Sequence, residues 1–495
     1  MDDTRPGRHR LALGPVWSAA AALAVALTLF SAPYGFHRDE LYFRMLEPAW
    51  GYVDQPPLTP LLVQLFSSVV ADEPWAIRIP STVAASASVL VVAGITRELG
   101  GNRAAQTLSA WAYAFAATPL LMGHVMLTSS LDLLVWPAVC LLVIMAVLRD
   151  EKRWWLLTGV VVGLSMYNKL LVAGLLASLV VGLLLVGPRR VLVSRAAISA
   201  AVIALAIGAP NLIYQAANGW PQLAMGAALA ENNAGEVRIL MWPFLLLLLG
   251  PPLVLVWVAG VVALVRRPQW RAVRFLAAAL PVLLVLTFLA GSQVYYPFGL
   301  LAVLFAAGCI PVVEYVDRSG RKLRPVLAGA VALNAVVSAV IALPLLPVRT
   351  LGASPIPALN QLAADQVGWP EYTQQVASAY LSLPAGERES AVIITSNYGE
   401  AGAVARYGAD LGLPGPYSGH NQLHFDRIPP ESADTAVIVG GQVERVSAYF
   451  ASCEHVGTLD HGLGVDSEEQ GQPLALCRSP LGSWAAIWPV FHHYD

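Results

Sequence analysis

YGFHRDELYFRMLEPAWGYVDQPPLTP, residues Tyr34–Pro60, begins where the first long apolar segment ends, and its reading decides the fold. The stretch is rich in aromatics and carries two acidic sites, Asp39-Glu40 and Asp54. It closes on Pro56-Pro57, so no single helix can run through it. A polar, aromatic loop bearing carboxylates between two apolar spans is a place to look for chemistry.

What surrounds the loop is apolar. The chain has 495 residues, 57% hydrophobic and 13% charged, with a formal net charge of −2, and its mean hydropathy is +0.61. Soluble chains carry roughly a quarter charged residues. The apolar runs approach the ~20 residues needed to cross a ~30 Å hydrocarbon core. A polytopic membrane protein follows, and no basic patch points to nucleic acid. The run Leu11–Phe30 follows Arg5, Arg8 and Arg10 and is long for a cleaved signal core, so it reads as a signal anchor.

Spans are expected near 11–31, 78–97, 105–126, 131–148, 154–168, 170–187, 196–214, 239–265, 275–291, 297–316 and 325–347, about eleven in all. The run 154–187 is read as two short helices meeting at Tyr167-Asn168-Lys169, because one helix would overshoot the membrane. The alternative, one long tilted helix, inverts everything after it. Charge decides between them. Arg97, Arg103, Arg149, Lys152, Arg153, Arg189, Arg190, Arg195, Arg266, Arg267, Arg271, Arg274, Arg318, Arg321, Lys322 and Arg324 fall with the basic head on one side. The opposite loops hold only Arg38, Arg44, Arg78, Lys169, Arg238 and Arg349. By the positive-inside rule the first loop, 32–77, is then extracytoplasmic, and so is everything after Arg349.

Residues 1–349 are therefore expected to form the transmembrane domain and 350–495 a small extracytoplasmic α/β domain. In the latter, strands are expected at Ala391–Ser396, Thr435–Val439 and Leu474–Cys477, with helices at Ala401–Leu411, Gln442–Ala451 and Trp484–His492. Cys140 and Cys309 lie in spans as small packing residues. Cys453 and Cys477 sit where a disulfide could form, but the sequence leaves the pairing open.

Several polar residues could carry chemistry, each with a plainer alternative. Asp39-Glu40 is either a solvated acidic pair or, beside Phe36, Tyr42 and Phe43, a carboxylate held partly out of water that can act as a general base or bind a divalent ion. Asp54 precedes a Pro-Pro turn, which can be purely structural or can fix the carboxylate in place. Asp132, after Ser129-Ser130, reads alone as a helix N-terminal acid. Lys169 either snorkels to the interface or holds a phosphate. Asn211–Leu223 and Gly291–Gly299, the latter with Tyr295-Tyr296, are aromatic ends of spans that could equally be interfacial anchors. No HExxH, GxSxG, Walker or dinucleotide pattern is present.

Taken together, Arg38-Asp39-Glu40-Leu41-Tyr42, Trp50-Gly51-Tyr52-Val53-Asp54-Gln55-Pro56-Pro57-Leu58, Ser130-Leu131-Asp132, Asn168-Lys169, Asn211–Pro221 and Tyr295-Tyr296 resemble one family. It is the bacterial membrane glycosyltransferases of the GT-C type, in the protein-mannosyltransferase-like group that includes the lipid A aminoarabinose transferase. Asn397-Tyr398-Gly399-Glu400-Ala401 and Ser418-Gly419-His420-Asn421 look like a subgroup's signature. The resemblance spans nearly the whole chain and implies the GT-C fold, with juxtamembrane helices in the first outer loop. It also implies transfer of a sugar from a polyprenyl-phosphate carrier to an envelope glycan, lipid or protein, with Asp39 as base and inversion at the anomeric carbon. Glu40, Asp54 and Asp132 would support the base, the acceptor or a metal, with Asp39, Glu40 and Asp132 as the metal's candidates. Lys169 and Arg78 would face the phosphate. No cofactor beyond a divalent ion is implied. The chain departs from the pattern at Gln55, where the aminoarabinose transferase has a Lys, and at Gln293 before the paired Tyr, so substrate identity does not carry over. The competing reading, a transporter with an extracytoplasmic binding domain, would favour polar groups at midplane rather than at one face.

Overall fold

The computed structural model describes residues 7, 9–291, 293–320 and 322–494; Arg5, Arg8 and Arg321 of the charge argument lie outside them. The chain divides into two compact units. One is Met1–Ser31, Gln55–Leu58 and Arg78–Leu343, and the other is Ala32–Asp54, Thr59–Ile77 and Pro344–Asp495.

The first unit is helical. Among the described residues, six helices are long and apolar enough to cross a membrane, or seven if one bent pair counts as a single span. These include Thr128–Arg149, Arg195–Ala217, Phe298–Arg318 and Leu323–Ala342. The shorter apolar helices Leu13–Leu29 and Val172–Val186 join them. The run 154–187 is two short helices, Lys152–Ser165 and Val172–Val186. Between them the amide of Asn168 donates to the carbonyl of Thr128 at 2.8 Å.

Two expected spans are broken. The run 105–126 is two helices, Arg103–Ala114 and Ala117–His124, with the interruption at Phe115-Ala116 just before Thr118-Pro119. The run 239–265 starts earlier and bends by 76° between Pro221–Leu247 and Pro251–Arg266. The cause is Gly250-Pro251-Pro252. Gly250 has φ +99, and two successive prolines offer no N–H to continue the ladder. The carbonyls freed there are satisfied from elsewhere, as an apolar medium requires. Leu248 O accepts from the backbone N–H of Thr118 at 3.1 Å and from its hydroxyl at 2.7 Å, and Leu249 O accepts from Asn334 at 3.0 Å.

Helix Phe298–Arg318 is the most enclosed, with every residue from Phe298 to Ile310 buried. It crosses Val254–Arg266 at two glycines. A Cβ on Gly308 would overlap the carbonyl oxygen of Val256, and one on Gly260 would overlap that of Leu304. Close backbone approach at small residues is how helices pack when no hydrophobic driving force separates them from lipid.

The second unit holds a five-stranded mixed sheet in the order β2-β1-β3-β5-β4. Its strands are β1 (Ala391–Thr395), β2 (Tyr417–Ser418), β3 (Thr435–Val439), β4 (Phe450–Thr458) and β5 (Pro473–Pro480). β1 pairs in parallel with β2 and β3, and β5 pairs antiparallel with β3 and β4. Val392, Ile394, Ile438, Val446, Trp484, Trp488 and Phe491 build its core. The expected helix 442–451 is only Val443–Val446, after which the chain turns into β4. The expected helix 484–492 shortens to Trp484–Ile487 and one 3-10 turn, Trp488–Phe491, that contains Pro489. Cys453 and Cys477 face each other across β4 and β5 and are joined by a disulfide.

The same unit contains the loop helices Arg38–Met45, Pro74–Ile77 and most of Leu58–Val69. Arg44 grips Asp72 with two nitrogens, Nη2 lying 2.5 Å from Oδ2. Gln64 donates to the carbonyls of Phe43 at 3.1 Å and Leu46 at 2.6 Å. These side chains hold the loop where its sequence alone would leave it open.

Gly308→Leu tests the glycine crossing. Its side chain would meet backbone that cannot retreat, an overpacking cost of ~1–3 kcal/mol or more. The expected outcome is a lower Tm and a several-fold loss of monodisperse protein in detergent. Gly329→Leu, where a Cβ meets nothing within 4 Å, leaves both unchanged.

Candidate functional site

Asp39 sits in the first turn of helix Arg38–Met45, whose cap fixes it. His37 is the N-cap: its Nδ1 accepts from the Asp39 N–H at 3.1 Å, and its own N–H donates to Glu40 Oε2 at 2.8 Å. This is a capping box with a histidine in the usual Ser or Thr place. Glu40 is fully buried and its carboxylate closes the cap. The Asp39 side chain stays 27% exposed, enough for an incoming group to reach it. So two adjacent acids that look alike in sequence have different surroundings. Burial opposes a charge on His37, but the hydrogen bond to Asp365 and the charges of Asp39, Asp365 and Glu40 outweigh it and raise its pKa.

Asp39 Oδ1 accepts a hydrogen bond from the hydroxyl of Tyr398 at 3.0 Å. Tyr398 opens helix Tyr398–Tyr407, which starts from a second capping box. Asn397 Oδ1 accepts from Glu400 N–H at 2.8 Å, and Glu400 Oε2 accepts from the N–H groups of Ser396 at 2.8 Å and Asn397 at 3.2 Å. Burial, with the nearby charge of Glu469, pushes the Glu400 carboxyl up to about 8. The two helices touch at Gly402, where a Cβ would lie 2.6 Å from Leu41 Cβ. The motif NYGE is thus a strand-to-helix turn, and its tyrosine reaches the candidate base. The sequence reading quoted the motif but gave Tyr398 no role.

Asp54 lies in the same unit. Burial pushes its carboxyl up to about 7; the charges of Asp39 and Asp426 add to this, while its own backbone N–H and the Tyr42 hydroxyl oppose it. Tyr42 Oη also accepts from the N–H of Gln422 at 3.3 Å, and Gln422 Oε1 accepts from Val53 N–H at 3.1 Å.

In the helical unit, four expected residues come together. Asp132 and the tyrosines Tyr295 and Tyr296 line one cavity with Thr118, Ser129 and Trp136. Lys169 Nζ lies 4.9 Å from the Tyr296 ring centroid and donates to Ser129 Oγ at 3.3 Å. Ser129 in turn donates to Tyr295 Oη at 3.1 Å, and Asn168 donates to Asp132 Oδ1 at 3.4 Å. Ser129, adjacent to the Ser130-Leu131-Asp132 motif, is a member to which the sequence reading gave no place in the site. Gln55 and Arg78 belong to this unit but do not line that cavity. Arg78 is buried and donates to the carbonyl of Ser31. Gln55 is buried, and its amide nitrogen has no hydrogen-bond partner among the described residues.

The sequence reading kept Asp39, Glu40 and Asp132 as candidate ligands should a divalent ion take part. Among the described residues, no three or more His, Cys, Asp or Glu side chains converge as metal ligands would, and Glu40 is already engaged in its cap.

Residues 54–214 match the family model of dolichyl-phosphate-mannose-protein mannosyltransferase. The matched span contains Asp54, Gln55, Arg78, Asp132 and Lys169, but not Asp39. No curated protein matches the sequence. Among solved structures, ArnT from Cupriavidus metallidurans in the apo state is similar with a TM-score of 0.60 at 12% identity, over 94% of this chain and 98% of that one. The same protein bound to undecaprenyl phosphate gives 0.54 at 14% identity, over 92% and 97%. The likeness covers the helical part and the sheet-bearing part alike, and the fold is the one the sequence leads one to expect.

Glu400 supplies a pH test. Its pKa rises from 4.5 to about 8 on folding, so the folded chain holds a proton that the unfolded chain releases between those values. That contribution is complete below about pH 4.5 and is lost as pH rises through about 8. Wild-type Tm is expected to fall by several degrees across this window. Glu400→Gln, which keeps an oxygen for the Ser396 and Asn397 N–H groups, should fall less steeply, and parallel curves for the two proteins would refute the assignment.

Proposed function

We propose that this chain, a membrane glycosyltransferase of the GT-C type in the protein-mannosyltransferase-like group, moves a sugar from a polyprenyl-phosphate carrier to an acceptor hydroxyl on the extracytoplasmic side of the membrane. The observation that carries the proposal is Asp39: a half-exposed carboxylate on a capped helix, with Oδ1 held by Tyr398 and Oδ2 free of hydrogen bonds among the described residues. In this reading Oδ2 takes the proton of the acceptor hydroxyl. The acceptor oxygen forms its bond to the anomeric carbon from the face opposite the phosphate. The bond from that carbon to the phosphate oxygen breaks, and polyprenyl phosphate leaves with the electron pair. The configuration inverts. General-base assistance of this kind contributes roughly 10²–10⁴-fold.

A lipid-phosphate leaving group needs no nucleotide fingerprint, in keeping with a sequence that has none. The undecaprenyl phosphate bound to ArnT is a lipid of the same kind. Lys169, next to Asn168 and in contact with Ser129, Tyr295 and Tyr296, is the proposed phosphate-binding cation, and Asp132, in the cavity that Ser129, Tyr295 and Tyr296 line, serves the sugar. Arg78, with its guanidinium engaged at Ser31, is the weaker candidate. Gln55 can hydrogen-bond but adds no charge where the aminoarabinose transferase has a Lys. Asp54, raised toward neutrality and bonded by Tyr42, is assigned to the acceptor. The basic residues on one side of the spans and the disulfide in the sheet-bearing unit both favour placing residues 350–495 outside the cytoplasm.

The test uses purified protein in liposomes with a panel of radiolabelled polyprenyl-phosphate sugars and cell-envelope acceptors. One donor should be consumed by the wild type, and Asp39→Asn should lower its turnover ~10²–10⁴-fold with Tm unchanged. Full turnover in the Asn variant would remove Asp39 as base. Lys169→Met is expected to raise the KM for the donor ~10-fold or more, as loss of a charged hydrogen bond worth ~1.5–3 kcal/mol predicts. An unchanged KM would move the phosphate site elsewhere.

A further inference from the structure

The stretch after residue 350 supplies a group to the candidate base, and we infer that Tyr398 is a positioning residue for Asp39. The inference rests on the reading of Asp39 as base. Its observation is the hydrogen bond from Tyr398 Oη to Asp39 Oδ1 at 3.0 Å, between residues 359 positions apart.

Every other contact of Tyr398 fixes where its hydroxyl points. The ring stacks with Tyr42, centroids 4.8 Å apart at 29°, and lies against the His420 ring in a tilted contact, also 4.8 Å away at 30°. The Arg38 guanidinium carbon lies 4.7 Å from the ring centroid. The backbone N–H donates to His420 Nδ1 at 3.1 Å, and His420 itself is stacked on His493 at 4.4 Å. The start of the helix is set by the Asn397–Glu400 capping box. Gly399 and Gly402 let the helix lie close enough for the hydroxyl to arrive, since a Cβ at either would press on Arg38 or Leu41. Ring stacking alone would be served by phenylalanine. The hydroxyl is the part that packing does not require.

A carboxylate anchored at one oxygen cannot spin about its Cβ–Cγ bond. With Oδ1 engaged, Oδ2 keeps one orientation, and an acceptor hydroxyl meets its lone pairs without a search. Orientation of a reacting group within hydrogen-bond reach is worth large factors, and a 1 Å misplacement can cost ~10²-fold. The effect belongs to kcat, because neither the donor nor its phosphate is touched.

The variants are Tyr398→Phe, Asp39→Ala and the pair, each in the full-length protein in liposomes. Tyr398→Phe should lower kcat ~10–100-fold with the donor KM within about twofold and Tm within a few degrees. In the Asp39→Ala background, where no carboxylate remains to be positioned, the same change should leave the residual rate unaltered. Wild-type kcat in Tyr398→Phe, a loss that appears in KM, or an equal loss in the Asp39→Ala background would overturn the inference. If the wild type consumes none of the donors, the transferase reading fails on its own account, and the melting temperatures then decide the contact. A direct bond makes the two substitutions non-additive in Tm, and additive shifts overturn it.

Discussion

At Gly402 two helices meet with only a hydrogen atom's room between them, and the arrangement around Asp39 depends on that contact. Helix Tyr398–Tyr407 lies against Leu41 there. The approach stacks Tyr398 on Tyr42 and sets Arg38 beside the Tyr398 ring. It brings a phenol to a carboxylate from a part of the chain more than three hundred residues away. Neither helix could do this alone. Arg38–Met45 has eight residues, and helices shorter than ~12–15 residues are marginal in water. Tertiary packing holds it, and the same packing brings in the groups that surround its acid.

The acids in this region fall into two kinds. Glu40 and Glu400 each close a capping box at a helix start, buried and hydrogen-bonded to backbone N–H groups. Asp39 and Asp54 face other side chains, the first half-exposed and the second raised to about 7. Arg38 is paired with Glu468 and lies over the Tyr398 ring. Burial raises the Glu469 carboxyl and Arg38 only partly offsets it, whereas Asp365 is held below its usual range against its burial, by His37 first and Arg38 after it. Charge density in the sequence therefore overstates the chemistry available, because part of it maintains backbone geometry.

What could be read from residue order follows from range. Apolar length announces membrane helices because the hydrocarbon core imposes it, and the two short helices around Tyr167-Asn168-Lys169 were legible from the excess of that length. The breaks are masked by hydropathy. Thr118-Pro119 after Phe115-Ala116, and Gly250-Pro251-Pro252, are breaker signals of the kind read at Pro56-Pro57, but each sits inside a stretch hydrophobic enough to pass for one span. β4 was missed because it is an edge strand with mostly exposed residues and no alternating apolar face. At the candidate site, Asp39 and the group Asp132, Lys169, Tyr295 and Tyr296 stood out as polar residues at the ends of apolar runs. Glu40 could not be separated from Asp39 before its cap was seen. Tyr398 could not be linked to either, since nothing local in NYGE names a partner 359 positions upstream.

The bend at Gly250 ties distant parts of the helical unit into one inheritance. Two carbonyls released by the break are held by Thr118 and by Asn334, and a side chain at 250 would collide with the Asn334 amide. Drift at any one of the three positions is therefore constrained by the other two. A relative that heals the break with an ordinary residue at 250 must also give up the asparagine, and one that loses the asparagine must find another donor for Leu249. Across relatives the three should be gained and lost as a set, a historical signature left by two peptide oxygens that lipid cannot solvate.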